Sequence, residues 1–302
     1  MSVTVYKGNK FRALAGNKVY YNSEWVELSG EDKIQINGVW YPLIDEYFTD
    51  VENPFTIYRT GEQEETTITL KKNGNPVVSG LYYRYGNSGD WIPLANSSGT
   101  LSTLTLNSTN GYEVQLYNTN DTFSTNISNY LCFSFSGGNV GCKGNIQSLM
   151  NFSNKCKSYC YFEMFRDCTS LTEAPSTLPA TTLADYCYQY MFSGCTPLTE
   201  APELPATILA DYCYYGMFSG CTSLTKAPEL PATTLVDSCY QNMFSGCRSL
   251  NYIKVGFTSW HSRATVHWVS GVSSTGYFEA PASLPVEYGI SGIPEDWRVV
   301  NK

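Results

Sequence analysis

Eleven cysteines, two histidines and a recurring set of glutamates hold most of the reactive chemistry in this 302-residue chain. Cys156 and Cys160 stand four apart, within the spacing of a structural zinc site, but no second pair follows them. Cys132 and Cys142 are placed to pair across a hairpin in an oxidising compartment. His261 and His267 lie beside Trp260 and Trp268, which invites an acid–base or metal reading; the plainer reading is a solvated surface near the end of the chain. Glycoside hydrolysis needs only two carboxyl groups at a set separation, and Glu173, Glu200, Glu203 and Glu229 supply candidates. These acids recur, however, and a catalytic pair is needed once. No nucleophile elbow, phosphate loop, dinucleotide glycine pattern or His-Glu-x-x-His is present. The expectation is a protein without a catalytic residue, a metal or a cofactor.

Eight of the cysteines, Cys160 among them, fall in two columns set by a repeat. Met164-Phe165, Met191-Phe192, Met217-Phe218 and Met243-Phe244 recur at spacings of 27, 26 and 26 residues. Cys160, Cys187, Cys213 and Cys239 hold one phase of this period, and Cys168, Cys195, Cys221 and Cys247 the other. Stacked coils bring equivalent atoms to about 5 Å, inside the Cα range of a disulfide. In-register stacking points the thiols the same way, though, so the columns read as ladders of reduced, buried cysteine.

Each unit has two halves. Leu198, Ala201 and Leu204, with Leu224, Ala227 and Leu230 as equivalents, form an extended segment in which two prolines forbid a long helix. Leu209, Cys213 and Met217 step by four, which predicts about two helical turns, ended at Gly220. One such coil cannot bury its apolar side, so neighbours must stack. Thr172, Glu173, Thr199, Glu200, Thr225 and Lys226 should then project outward in rows. Tyr188, Tyr214 and Tyr240 offer a column of amphipathic rings. These nine are the candidate ligand-binding residues.

Phe-x-x-Cys-Thr-Ser-Leu followed by a Leu-Pro element, as in Met217-Phe218-Ser219-Gly220-Cys221-Thr222-Ser223-Leu224 and Leu230-Pro231-Ala232-Thr233-Thr234-Leu235, resembles the BspA-type leucine-rich repeats of Bacteroides-like surface proteins. The resemblance covers residues 144–257, with Gly144 to Met150 as the start of the array. It implies a short α/β solenoid that follows a β domain and serves as an adhesive or recognition surface. Members are normally exported, whereas Met1 to Gly8 carries no basic-then-apolar export signal. Together with the thiols this leads to the expectation of folding in the cytosol.

Charged residues are only 15% and aromatics also 15%, with 24 Tyr, which suits a mainly β chain. A net charge of −8 without a Lys/Arg run argues against nucleic acid, and no apolar stretch approaches the ~20 residues of a membrane span. Four segments are expected. Residues 1–50 form a small β attachment module carrying Trp25 and Trp40, and residues 51–143 an antiparallel β-sandwich. Residues 144–257 are the solenoid, and 258–302 a C-terminal cap in which Trp260, Trp268 and Trp297 cover the last coil. The function expected is surface-displayed binding to a protein or glycan on a cell. The alternative is a structural phage component, such as a fibre or capsid decoration. Either way, the N-terminal module would dock on a particle, an envelope partner or copies of itself.

Overall fold

Alternation of apolar and polar residues makes strands of the segment after residue 53. In Thr66–Asn73 the side chains at Thr66, Ile68 and Leu70 are buried while Thr67 and Thr69 are not, the period of a pleated strand with one covered face. The computed structural model describes residues 53–302, apart from 63–64, 77–79, 95–99, 122–123 and 302 and the side chains of 100–102; within 1–52 it describes the backbone of six strands. The chain is mainly β, and it divides into two compact units, residues 1–52 and 53–302.

In the first unit β1 (Ser2–Tyr6) pairs with β2 (Lys10–Ala15), and β3 (Lys18–Tyr21), β4 (Glu24–Ser29), β5 (Lys33–Ile36) and β6 (Val39–Pro42) form an antiparallel meander. Trp25 and Trp40 fall on β4 and β6, but their side chains, and with them the attachment reading, lie outside the described residues.

The second unit begins with β7 (Phe55–Arg59), β8 (Thr66–Asn73), β9 (Leu81–Tyr85), β10 (Ile92–Pro93), β11 (Thr100–Leu106), β12 (Glu113–Asn118), β13 (Tyr130–Ser136) and β14 (Val140–Lys143). One sheet has the order β11-β8-β13. The other runs β10-β9-β12-β7-β14 and continues into β15 (Leu171–Glu173), which lies in the first repeat and pairs with β14 in parallel. The sheets meet through Phe55 and Phe133, whose rings are 6.2 Å apart, and one hydrophobic core runs from Phe55 to Trp297. Cys132 lies on β13 and Cys142 on β14, in different sheets, so the hairpin pairing considered for them is not the arrangement found.

The repeats follow as units A (residues 157–183), B (184–209), C (210–235) and D (236–260). The spacing of four read as helical is a chain of tight turns instead. In unit B the N–H groups of Cys187, Gln189, Met191, Ser193 and Cys195 donate to the carbonyl three residues back, at 3.1–3.3 Å. The residues between them, Tyr186, Tyr188, Tyr190, Phe192 and Gly194, donate instead to Asp211, Cys213, Tyr215, Met217 and Ser219 of unit C at 2.7–3.1 Å. Alternate residues thus serve their own unit and the next, and the backbone is satisfied without a helix. Every fourth residue adopts the left-handed conformation, as at Tyr186, Tyr190 and Gly194 with φ of 62°, 54° and 76°. For a tyrosine this costs about 1–2 kcal/mol. The resulting period is two side chains in, two out: Cys187-Tyr188 and Met191-Phe192 are buried, Gln189-Tyr190 and Ser193-Gly194 are not.

Stacking then makes ladders of like on like. Phe165, Phe192, Phe218 and Phe244 stack at 5.5–5.9 Å with interplanar angles of 4–9°. Cys195, Cys221 and Cys247 donate their thiol protons to the carbonyls of Phe165, Phe192 and Phe218. The pattern continues past residue 257. Tyr240, Asn242, Phe244 and Gly246 donate to Ala264, Val266, Trp268 and Ser270, which places a further turn chain where the Met-Phe signature has gone. Trp268 is fully buried against Tyr240 and Phe244, and its indole N–H donates to the Gly292 carbonyl. Trp260 and Trp297 likewise donate to the carbonyls of Pro285 and Ser273. β16 (Tyr252–Lys254), β17 (Tyr277–Ala280) and β18 (Arg298–Asn301) form a parallel sheet beside them.

Candidate functional site

The extended halves of units B and C part along one edge, and a groove of about 680 Å³ opens between them. Five backbone bonds join these units along the turn chain, yet none joins Thr199–Pro205 to Thr225–Pro231. Units C and D differ: Asn251 donates to Thr225, Ala227 to Tyr252, Leu230 to Lys254 and Gly256 to Leu230, at 2.8–3.1 Å. A bridge between Leu230 and Val255 sets the register, so Pro231 of unit C stands where unit D has Gly256. Proline has no N–H to give, and the rung that Gly256 closes stays open at Pro231.

Ala201, Leu204, Ala227, Pro205, Pro228 and Pro231 give the groove an apolar lining, and Thr199, Glu200, Glu203, Thr225, Lys226 and Glu229 give it polar side chains. The charges are unevenly engaged. Glu229 pairs with Lys254 at 2.9 Å, and the Lys226 ammonium lies 5.0 Å over the Tyr252 ring, in the next unit and outside the groove lining. Glu200 and Glu203 are exposed and enter no ion pair among the described residues. The face that unit B turns to the groove is therefore acidic.

Four of the candidate residues read from the sequence, Thr199, Glu200, Thr225 and Lys226, are brought together here. Thr172 and Glu173 belong to the same row but are committed to the sheets. The Thr172 hydroxyl lies 3.1 Å from both the Val140 carbonyl and the Thr60 hydroxyl, and the Tyr58 hydroxyl donates to Glu173. Tyr188, Tyr214 and Tyr240 are not a contact surface. They are 0–2% exposed and stack at 5.7–6.0 Å inside the molecule. The half-buried stack at the surface is the column two residues earlier, where Tyr159, Tyr186 and Tyr212 lie 4.6 Å ring to ring. A period of two in and two out identifies Tyr186 and Tyr212 as the outer residues, whereas a helical wheel does not. The proline at 231, which removes one rung between units B and C, is visible in the sequence only against the glycine at 256.

The other reactive groups lie apart from the groove. His261 sits beside Asp237 at 3.5 Å, and Arg263 pairs with the same carboxylate at 2.7 Å. Burial pushes the Cys239 and Cys247 thiols up to about 12, and Cys187, Cys195, Cys213 and Cys221 are raised for the same reason. Cys156 is the exception: thiols of Cys160 and Cys187 and the Tyr188 hydroxyl surround its sulfur and lower its pKa despite burial. Among the described residues no group of three or more His, Cys, Asp or Glu side chains is arranged to hold a metal ion, and no helix is long and apolar enough to cross a membrane.

No family model, curated protein or solved structure matches this chain.

Proposed function

We propose that this is a non-enzymatic, surface-displayed binding protein in which residues 144–257 form a leucine-rich-repeat solenoid of the BspA type. The β-sandwich of residues 51–143 is its base, the segment after 257 closes its far end, and residues 1–50 attach it to a particle or envelope. The observation that carries this reading is the groove between units B and C, where Thr199, Glu200, Thr225 and Lys226 meet over an alanine and proline lining. Concave sites with an apolar lining and a few convergent polar groups are where ligands bind. Solvent-facing rows repeated at each coil suit recognition of an extended ligand. Flow cytometry of the labelled full chain on intact bacterial and animal cells tests this. Cells that bind the wild type should lose most of the signal with T199A/E200A/T225A/K226A, while the variant's melting temperature stays within a few degrees. Retained binding by that variant would remove the groove from the account.

A further inference from the structure

Building on the groove as a binding site, we infer that its occupant is an extended polypeptide segment carrying lysine or arginine side chains. Three observations converge on this chemistry. First, the facing edges of Thr199–Ala201 and Thr225–Ala227 share no backbone hydrogen bond, although the corresponding edges of units C and D are bonded. On the unit B side Thr199–Ala201 enter no backbone hydrogen bond, while the Thr225 carbonyl and Ala227 N–H are taken by unit D; open groups such as those of unit B are what a peptide backbone recognises when it adds to a sheet edge. Second, the groove runs along unit B from Thr199 to Pro205, about 23 Å at the rise of an extended chain, the length of a short peptide rather than of a compact small molecule, with Glu203 bonded to unit A and the unbonded backbone at Thr199–Ala201. Third, the lining carries more negative than positive charge, with Glu200, Glu203 and Glu229 against Lys226. Glu200 and Glu203 are exposed without an ion pair among the described residues, while Lys226 leans onto Tyr252 and Glu229 is held by Lys254. Cationic side chains of an extended peptide would meet Glu200 and Glu203, and the apolar stems of lysine would lie on Ala201 and Pro228.

The structure also supplies a way to close the groove without touching its charges. Pro231→Gly restores one N–H at the position from which Gly256 donates to Leu230, which gives the Leu204 carbonyl a partner and draws the Pro231 end of the groove together. Glu200→Gln with Glu203→Gln does the opposite, leaving the shape and removing the charge.

The test uses the full chain and three fluorescent probes. They are a seven-residue peptide of alternating lysine and threonine, the same peptide with glutamate for lysine, and a panel of neutral oligosaccharides. The expected result is that only the lysine peptide binds, that E200Q/E203Q weakens it at least tenfold, and that P231G abolishes it with the melting temperature unchanged or raised. Equal binding by E200Q/E203Q would mean diffuse attraction to the net charge and would overturn the proposal. Oligosaccharides bound in place of the peptide, and lost in P231G, would overturn the ligand class and leave the groove as a binding site. Failure of every probe on the wild type would overturn the proposal and count against the groove itself.

Discussion

The carbonyl oxygen of Phe133 accepts the thiol proton of Cys168 at 3.1 Å, as Phe165 does for Cys195 at 3.0 Å. Phe133 also donates its N–H to Met164, as Phe165 does to Met191, and its ring stacks on Phe165 at 5.4 Å. A residue of strand β13 therefore fills the place that the repeat gives to its own phenylalanine. The sheets and the repeats are one stack, with the sheet as its first rung.

Phe133→Ala should cost about 3–5 kcal/mol, the range for deleting a buried phenyl ring. Because the ring supports unit A rather than the sheet alone, hydrogen exchange should speed up across residues 159–171 as well as in β13. Loss of protection confined to β13 would contradict the shared stack.

Gly220→Ala tests the left-handed turn that ends the turn chain of unit C. Here Gly220 has φ of +75°, and a Cβ would rest at an ordinary 3.7 Å from the Gly194 Cα, so the conformational cost acts alone. We expect a loss of about 1–2 kcal/mol, read as a melting temperature some degrees lower. A gain in stability would place Gly220 outside the left-handed region.

Those contrasts mark what the sequence carries. The repeat, its phase and the burial of both cysteine columns are legible because they depend on periodicity and side-chain type alone. The turn chain is not, since a period of four with paired inward residues resembles 3.6 over only two turns. Trp268 was legible as a buried residue but not as a continuation of the stack, because Ala264, Thr265 and Val269 share no motif with Cys-Tyr and Met-Phe. The groove depends on a missing bond, and missing bonds become visible only when both strands are placed.

Stability should fall in alkali. Burial raises the Cys239 and Cys247 thiols to about 12 in the folded chain, against about 8.5 when unfolded. Below about pH 8.5 both states keep these protons and the contribution is constant. Between about pH 8.5 and 12 only the unfolded chain releases them, so each thiol lowers stability by about 1.4 kcal/mol per pH unit. Tyr188, Tyr214 and Tyr240, also raised by burial, act in the same direction at higher pH. Thermal melts under reducing conditions should decline above about pH 9. A melting temperature that stays level there would place these thiols in water.

Leu224 is fully buried in unit C. Leu224→Asp should remove several kcal/mol by burying an unpaired charge, and units A to D should lose protection together because each core is built by its neighbours. A variant that melts like the wild type would put Leu224 on the surface.

The central claim, that the face between units B and C is where this protein binds, is tested most directly by site-specific photocrosslinking of the full chain on a cell surface that it adheres to. A benzophenone side chain introduced at Thr199 or Thr225, both exposed at the groove, should yield covalent adducts. The same group at Asp211, exposed on the turn chain of unit C, should yield none. Adducts formed from Asp211 and absent from Thr199 and Thr225 would contradict the account.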